Sequence, residues 1–411
     1  MILVSHLSGN ANVRHAVDAF IDAGMLAEYW TCSSWNPESR LAGLLPARLR
    51  QQLDRRAYPP RVRPFIRHYP WRELGRMGSS LIGWEYPVRH ERGPFCIDAV
   101  FASLDRAVAR RLREPGPIRG VFAAEDGALA SFAAAHERGL KTIYEQPIGY
   151  WRAAHALYAE EAAREPEWAG TMTGMRDSEQ KLARKDAELE SADVVIAASS
   201  FTRQTLSLAP RCTAPIHVIP YGSPPPVAAE AGPRPNDGRL RVLFVGSLGQ
   251  RKGLSYLLAA CEQLRGAVAL TLIGRKAVND CLPLNAAVSR HRWIPSLPHR
   301  GVLAEMAAHD VLVFPSLFEG FGLVILEAMA QGLPVITTPN TAGPDLIEAG
   351  RDGFIVPIRS SSAIVEKLDL LLRDRPLLSA LRNAAREAAL RRTWGSYQMQ
   401  LTQVVRSTIH S

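Results

Sequence analysis

Short runs of consecutive apolar residues alternate along this chain with longer stretches in which apolar positions recur at helical spacing. ILVSH at the amino terminus, AEYWTC, IRGVFAA, LKTIYE, ADVVIAAS and IHVIPYG read as strands, several of them apolar on both faces. Strands of that kind occur where helices cover both sides of a parallel sheet. Asn12 to Ala23, Ile97 to Leu112, GALASFAAAHERG, Trp151 to Arg164 and Met175 to Glu190 carry the helical spacing, and Ser199 or Ser200 is suited to cap another helix after ADVVIAAS. The β-α-β rhythm predicts an open, doubly wound sheet.

Between Ser223 and Asp237 the sequence SPPPVAAEAGPRPND is too rich in proline for the interior of an element and predicts an interdomain connection. The rhythm then restarts. RVLFVG, VALTLIG, HRWIP, DVLVFPS, LPVITT and DGFIVP read as strands, and QRKGLSYLLAACEQL, HRGVLAEMAAH and Gly322 to Ala330 as helices. A short helix in PDLIEAG, two more from Ser361 to Leu390 and a last from Trp394 to Thr408 complete the pattern. The expected architecture is α/β, with two doubly wound, Rossmann-like domains over residues 1–225 and 236–390 facing a central cleft.

Composition narrows the class. At 411 residues the chain exceeds a single small module, and its 47% hydrophobic and 22% charged residues are those of an ordinary globular protein. No apolar run approaches the roughly 18 residues of a membrane span, and MILVSHLSGN lacks the basic start and longer apolar stretch of a signal peptide. Five scattered cysteines without a C-x-x-C pair argue against a disulfide framework and a cysteine-built zinc site. A cytoplasmic enzyme is expected.

The net charge of +9 comes from 49 Lys+Arg against 40 Asp+Glu, only six of the former being lysine. Part of it is local. From Pro46 to Arg76 nine arginines stand against Asp54 and Glu73, interleaved with Tyr58, Phe65, Tyr69 and Trp71. Such a segment suits an anionic membrane surface or an anionic acceptor; it suits a solvated helix pair equally, and a nucleic acid poorly.

Open parallel sheets bind ligands beyond the carboxyl ends of their strands, where helix N-termini present free N–H groups. Three glycine-containing strand ends are therefore compared. In SHLSGNANVRHAV, Gly9 and Asn10 join the first strand to its helix without G-x-G-x-x-G spacing. In FVGSLGQRKGLSYLL, Gly246 and Gly249 make a compact turn, and Arg251 and Lys252 stand at a helix start, unfavourable for cations unless an anion neutralises them. Gly253 follows Lys252, so the Walker arrangement is absent. In DVLVFPSLFEGFGLVILEAMAQGLPVITT, Glu319 stands in the loop, Gly320 and Gly322 allow a ligand to approach the backbone, and Glu327 lies in the first turns of the helix. Carboxylates there suit vicinal sugar hydroxyls, or compensate the helix dipole.

The runs PSLFEGFGLVILEAMAQGLPVI, GSLGQRKG, ADVVIAAS and DGFIVP resemble the retaining, nucleotide-sugar-dependent glycosyltransferases of family 4 (glycosyl transferases group 1), which have the GT-B fold. The likeness is specific over about residues 185 to 400 and looser before, in the acceptor-side half. It implies a metal-independent transfer of a hexosyl unit from a UDP- or GDP-sugar to a glycan or lipid-linked sugar, and a carboxyl-terminal helix (392–411) that packs back on the first domain. No two aspartates here are separated by a single residue, so the D-x-D metal-diphosphate motif is absent.

Carried over by residue, Glu319 resembles the carboxylate on the donor hexose, and Gly320, Phe321, Gly322 and Leu323 the backbone that approaches sugar and diphosphate. Glu327 matches the ribose carboxylate, Lys252 the diphosphate cation, and Arg275 and Ile294 the base pocket, while Gly9 and Asn10 match the glycine-rich loop of the first domain. Two positions depart from the family. Ser247, after Gly246, replaces an arginine, leaving Arg251 as the second cation; Tyr144 or Glu145 stands where many members place a histidine, which makes Glu145 a candidate base or acceptor-orienting group. A sugar-nucleotide epimerase or a non-catalytic nucleotide-sugar or glycan binder is the alternative reading. A peripheral position on the inner face of an anionic membrane, through residues 46–76, is also expected.

Overall fold

The computed structural model describes residues 1–38, 53, 56–226 and 238–410. The first half contributes β1 (Ile2–Ser5), β2 (Leu26–Thr31), β3 (Ile66–His68), β4 (Gly120–Ala124), β5 (Lys141–Gln146), β6 (Val194–Ala197) and β7 (Ile216–Val218). The second contributes β8 (Leu240–Val245), β9 (Val268–Ile273), β10 (Arg292–Ile294), β11 (Val311–Phe314), β12 (Val335–Thr337) and β13 (Gly353–Ile355). They form two separate parallel sheets, a seven-stranded one in the order β3-β2-β1-β4-β5-β6-β7 and a six-stranded one in the order β10-β9-β8-β11-β12-β13.

Each sheet changes winding direction beside its first strand, between β1 and β4 and between β8 and β11. Ile2 pairs with Gly120 and Val242 with Val311, so the loops leaving those four strands emerge together. The central strands are buried on both faces, as the continuous apolar runs require. Polar N-caps set several helix starts: Asn10 accepts from Val13 N at 3.1 Å to open Ala11–Asp22, and Ser199 accepts from Thr202 N at 3.1 Å to open Ser200–Thr205.

The basic segment differs from expectation. Residues 39–52, 54 and 55, with Arg48, Arg50 and Arg55, lie outside the described residues, as do 227–237 of the proline-rich connection. The remainder contains an edge strand, β3, and the helix Trp71–Leu81. IRH is too short and too polar to announce a strand; an edge position tolerates both properties. Arg56, Arg61 and Arg63 are paired with Glu73, with Asp18 and Asp22, and with Glu38.

The last helix, Trp394–His410, runs back to the first half. Its buried side is Tyr397, Leu401, Val405 and Ile409. Trp394 stacks on His15 with ring centroids 3.9 Å apart, Gln398 Nε2 donates to the His15 carbonyl at 3.3 Å, and Ile409 lies against Gly120.

The halves meet through aromatic and charged contacts. Phe318, from the second, packs edge-on against Tyr158 and Phe201 of the first. Glu161, on the helix Trp151–Arg164, is fully buried and accepts from Gln250 Nε2 (2.7 Å), Tyr256 Oη (2.9 Å) and Arg359 Nε (2.7 Å), all from the second half. Removing that carboxylate takes a partner from Gln250, from Tyr256 and from the half-buried Arg359 guanidinium, which keeps Glu160. Glu161→Ala should therefore lower stability by about 3 kcal/mol, read as a fall in the urea midpoint; an unchanged midpoint would show that the three groups find other partners.

Candidate active site

At the end of β8 the chain turns through Gly246, an exposed Ser247 and a buried Leu248 into the single turn Gln250–Lys252, and the helix Leu254–Gln263 follows. Gly253 joins the last two with φ 66°, and a Cβ there would strike the Pro315 carbonyl. Glycine is needed on both counts. The loop after β11 is stitched to this turn through the Arg251 carbonyl, which accepts from Leu317 N at 2.9 Å and from Ser316 Oγ at 3.2 Å.

This stitching brings Glu319 against both cations. Lys252 Nζ is in direct contact with Glu319 Oε2 and lies 4.8 Å from the centre of the Phe314 ring. Arg251 Nη1 donates to the Phe318 carbonyl at 3.1 Å and to Glu319 Oε2 at 3.3 Å. Burial pushes the Arg251 pKa down, and burial together with the Arg251 charge pushes that of Lys252 well down. Glu319 is the carboxylate that both cations share. Two adjacent cations with one carboxylate leave a positive charge poorly compensated in a low-dielectric place, which favours an incoming anion.

The other residues singled out from the sequence fall around this centre in different ways. Gly322 caps the helix Leu323–Ala330, with Leu323 half-buried at its start, and Glu327 on that helix pairs with His299 Nε2 at 2.9 Å. Glu327 in turn raises the His299 pKa. Arg275 is exposed, and its carbonyl accepts from Leu248 N at 2.8 Å; the Ile294 carbonyl accepts from Gly274 N at 2.9 Å. These bonds hold the ends of β9 and β10 beside the turn after β8.

Gly320 and Phe321 belong to the packing between the halves. The Gly320 carbonyl accepts from Ser199 Oγ and from Thr202 Oγ1, and a Cβ at Gly320 would collide with the Pro147 carbonyl. The Phe321 ring is buried and meets Tyr221 edge-on, with centroids 4.9 Å apart.

On the opposite side, Gly9 N donates to His6 Nδ1 at 2.9 Å, and the Gly9 carbonyl accepts from Arg14 Nε at 2.8 Å. The Asn10 side chain is engaged in its cap. His6 was not singled out from the sequence, although a histidine ending an apolar strand is a visible signal. Burial holds its pKa down at about 4, and because Nδ1 accepts from Gly9, the neutral ring carries its proton on Nε2.

Glu145, at the end of β5, is buried, and its Oε1 accepts from Asn12 Nδ2 at 2.6 Å and from Tyr221 Oη at 3.0 Å. Burial raises its pKa against those two donors. Among the described residues, the Oε2 atom and the nearby Tyr397 hydroxyl have no partner.

Two other features lie elsewhere. A cavity of about 830 Å³ opens at the amino ends of β8, β9 and β10 between Arg241, Arg265, Arg292 and Glu305, the wrong end of an open parallel sheet for its ligand. Among the described residues one group of His and acidic side chains, His90, Glu91 and Asp177, has ligand atoms within 4.8 Å of one another. Lys181 Nζ already sits 3.0 Å from Asp177, and Ser178 donates to both Glu91 oxygens.

Two doubly wound sheets with their switch-point loops turned toward each other define the GT-B class. Sucrose-phosphate synthase from Thermosynechococcus elongatus superposes with a TM-score of 0.68 at 19% identity over 99% of this chain and 98% of that one. HepE from Anabaena, in complex with UDP and glucose, gives 0.63 at 17% identity over 99% of each chain. Residues 229–388 match the family model Glycosyl transferases group 1.

A phosphatidyl-myo-inositol mannosyltransferase from Mycobacterium leprae is 31% identical over 169 residues, 40% of this chain and 45% of the relative. A glycogen synthase from Mycobacterium tuberculosis is 27% identical over 255 residues, 60% of each. The matches thus span about half the length of these curated relatives. Among the described residues no helix is long and apolar enough to cross a membrane.

A raised Glu145 pKa has a definite pH signature. Its stabilising contribution is fully present below the pKa of a free carboxyl, about 4.3, and is lost as pH rises toward the folded value, because the unfolded state ionises first. Glu145→Gln should gain stability relative to the wild type as pH rises above that free value of about 4.3. Melting temperatures of the two proteins across this range decide it; a constant difference would mean that Glu145 is unperturbed.

Proposed function

We propose that the chain is a retaining glycosyltransferase that moves a hexosyl unit from a UDP- or GDP-sugar to a hydroxyl of a glycan or lipid-linked sugar without a metal. The observation that carries this reading is the half-buried Arg251 and the buried Lys252 sharing the carboxylate of Glu319 at the switch point of the second sheet. A nucleoside diphosphate supplies the missing negative charge. It takes over the two cations and frees Glu319 to accept hydrogen bonds from the hexose, beside the N-terminus of Leu323–Ala330.

In this scheme Glu327 exchanges His299 for the ribose, Arg275 and Ile294 border the base, and Gly246 and Ser247 turn the backbone toward the phosphates. Gly9 and Asn10 approach from the acceptor side, with Gly320 and Phe321 fixing the loop that carries Glu319. The bond from the anomeric carbon to the diphosphate oxygen breaks with its electron pair moving to the diphosphate, where Lys252, Arg251 and the helix start stabilise the growing charge. The acceptor oxygen bonds to the same face, and its proton passes to a diphosphate oxygen. Glu145, occupied by Asn12 and Tyr221, is assigned to orienting the first half's helix start rather than to proton removal.

The likeness to HepE, solved with UDP and glucose, supports a uridine nucleotide, and the relative named for transfer to phosphatidyl-myo-inositol supports a lipid acceptor at the inner face of a membrane. Calorimetry with UDP and GDP separates the two carboxylates. Glu327→Ala should weaken nucleotide binding by about 1.5 to 3 kcal/mol, whereas Glu319→Ala should leave it equal or tighter and abolish turnover; equal losses in both would refute the division of roles.

Transfer should also persist in EDTA, since the cations and helix start fill the role that a divalent ion has at a D-x-D motif. Loss in EDTA with recovery on adding manganese or magnesium would reject the mechanism. Products of a radiolabelled donor distinguish transfer from epimerisation or bare binding.

A further inference from the structure

The helix Trp71–Leu81 is turned inside out. On a helix a residue advances about 100°, so Trp71, Leu74 and Leu81 fall within one side. That side faces solvent. The opposite side, with Glu73 and Ser79, is buried, and Glu73 is held there by Arg76 at 2.7 Å and Arg56 at 3.2 Å. A helix folding in water alone would present the glutamate and cover the leucines, because burying a carboxylate requires compensating charges and exposing leucine forgoes burial.

The ridge continues past the helix end. Ile82, Trp84 and Tyr86 are exposed as well, so six large apolar side chains within sixteen residues are each 54% to 75% exposed. Other exposed large hydrophobic residues of the described chain are scattered singly.

The surroundings of the ridge carry a charge sign. Arg67, just before it in the chain, and Arg89 and Arg92, just after it, are exposed. Of the glutamates in the same stretch, Glu73 is enclosed in its ion pairs and Glu91 accepts from Ser178, leaving Glu85 exposed. Aliphatic side chains flanked by two tryptophans, a tyrosine and exposed arginines are the composition of a surface that enters the headgroup layer of a bilayer: the rings sit at the polar boundary, the aliphatic groups below it, and guanidinium groups meet anionic headgroups.

We propose that the ridge Trp71–Tyr86 is a membrane-insertion element, with an anionic lipid bilayer as its partner. The proposal deepens the membrane-proximal reading of the acceptor side. It shifts the contact from the arginines expected to make it, since Arg56, Arg61 and Arg63 are paired within the protein, to an apolar wedge with its own arginines.

Flotation of the full chain with vesicles of phosphatidylcholine and phosphatidylglycerol tests it. The wild type should float with these vesicles and not with pure phosphatidylcholine, and Leu74→Ser/Leu81→Ser/Ile82→Ser should reduce the bound fraction by more than about tenfold. Arg67→Ser/Arg89→Ser/Arg92→Ser should bind more weakly than the wild type at low salt, with the difference shrinking as salt rises and screens the arginine contacts. Brominated lipid should quench tryptophan fluorescence in the wild type, and that quenching should disappear in Trp71→Phe/Trp84→Phe.

If the wild type fails to float, or the serine variant floats as well as the wild type, the proposal is wrong. Light scattering that shows a dimer converted to a monomer by the serine substitutions, without flotation, would assign the ridge to a second copy and also overturn it. Calorimetry with UDP and with GDP on the same variants keeps the donor site separate. Flotation without binding of either nucleotide would sink the donor reading alone, and nucleotide binding without flotation would sink this one alone.

Discussion

One buried carboxylate ties the two halves to the chemistry between them. Glu161 belongs to the first half, yet the groups that donate to it all come from the second. One of them, Gln250, opens the turn that carries Arg251 and Lys252, and its backbone N–H donates to Thr171 Oγ1 of the first half at 2.9 Å. The cationic turn is therefore positioned by contacts across the cleft as much as by its own sheet. Any rotation of one half against the other must strain or break these bonds, so the arrangement of the halves and the placement of the cations are mechanically linked.

A second linkage lies on the other side of the cleft. Asn12, at the start of the first half's opening helix, shares Glu145 with Tyr221, whose ring touches both Phe321 and Tyr397. β5, the chain just after β7, the loop after β11 and the last helix thereby meet around a single carboxyl group. Satisfied on one oxygen and unpartnered on the other, that group is held by its neighbours at an electrostatic cost.

The fold class was legible because parallel strands buried on both faces leave uninterrupted apolar runs, as in DVLVFPS and LPVITT. The edge strand β3 left no such run. At the glycine-containing strand ends the residue types pointed to an anion site, but their mutual pairing was invisible: Lys252 and Glu319 meet only because β8 and β11 are neighbours in the sheet. Glu161 was beyond reach for the opposite reason. Within AEEAAR it looks like one more solvated charge on a polar helix, and only docking of the second half buries it. Arginine content likewise overstated the free charge around residues 56–63, since sequence counts cannot subtract ion pairs formed by distant acids.

The returning helix Trp394–His410 imposes an order on the chain's birth. Tyr397, Leu401, Val405 and Ile409 pack toward a half whose last strand, β7, ends at Val218. A ribosome adding about 5 to 20 residues per second needs on the order of 10 to 40 s to travel from there to the end of this helix. For that interval the layer around Ala11–Asp22 lacks its cover, and the first half waits, incomplete and sticky, for the second to be made. The nascent protein is thus a natural client for chaperones that shield apolar surface, and a chain shortened by its last turns would share the fate of one interrupted midway.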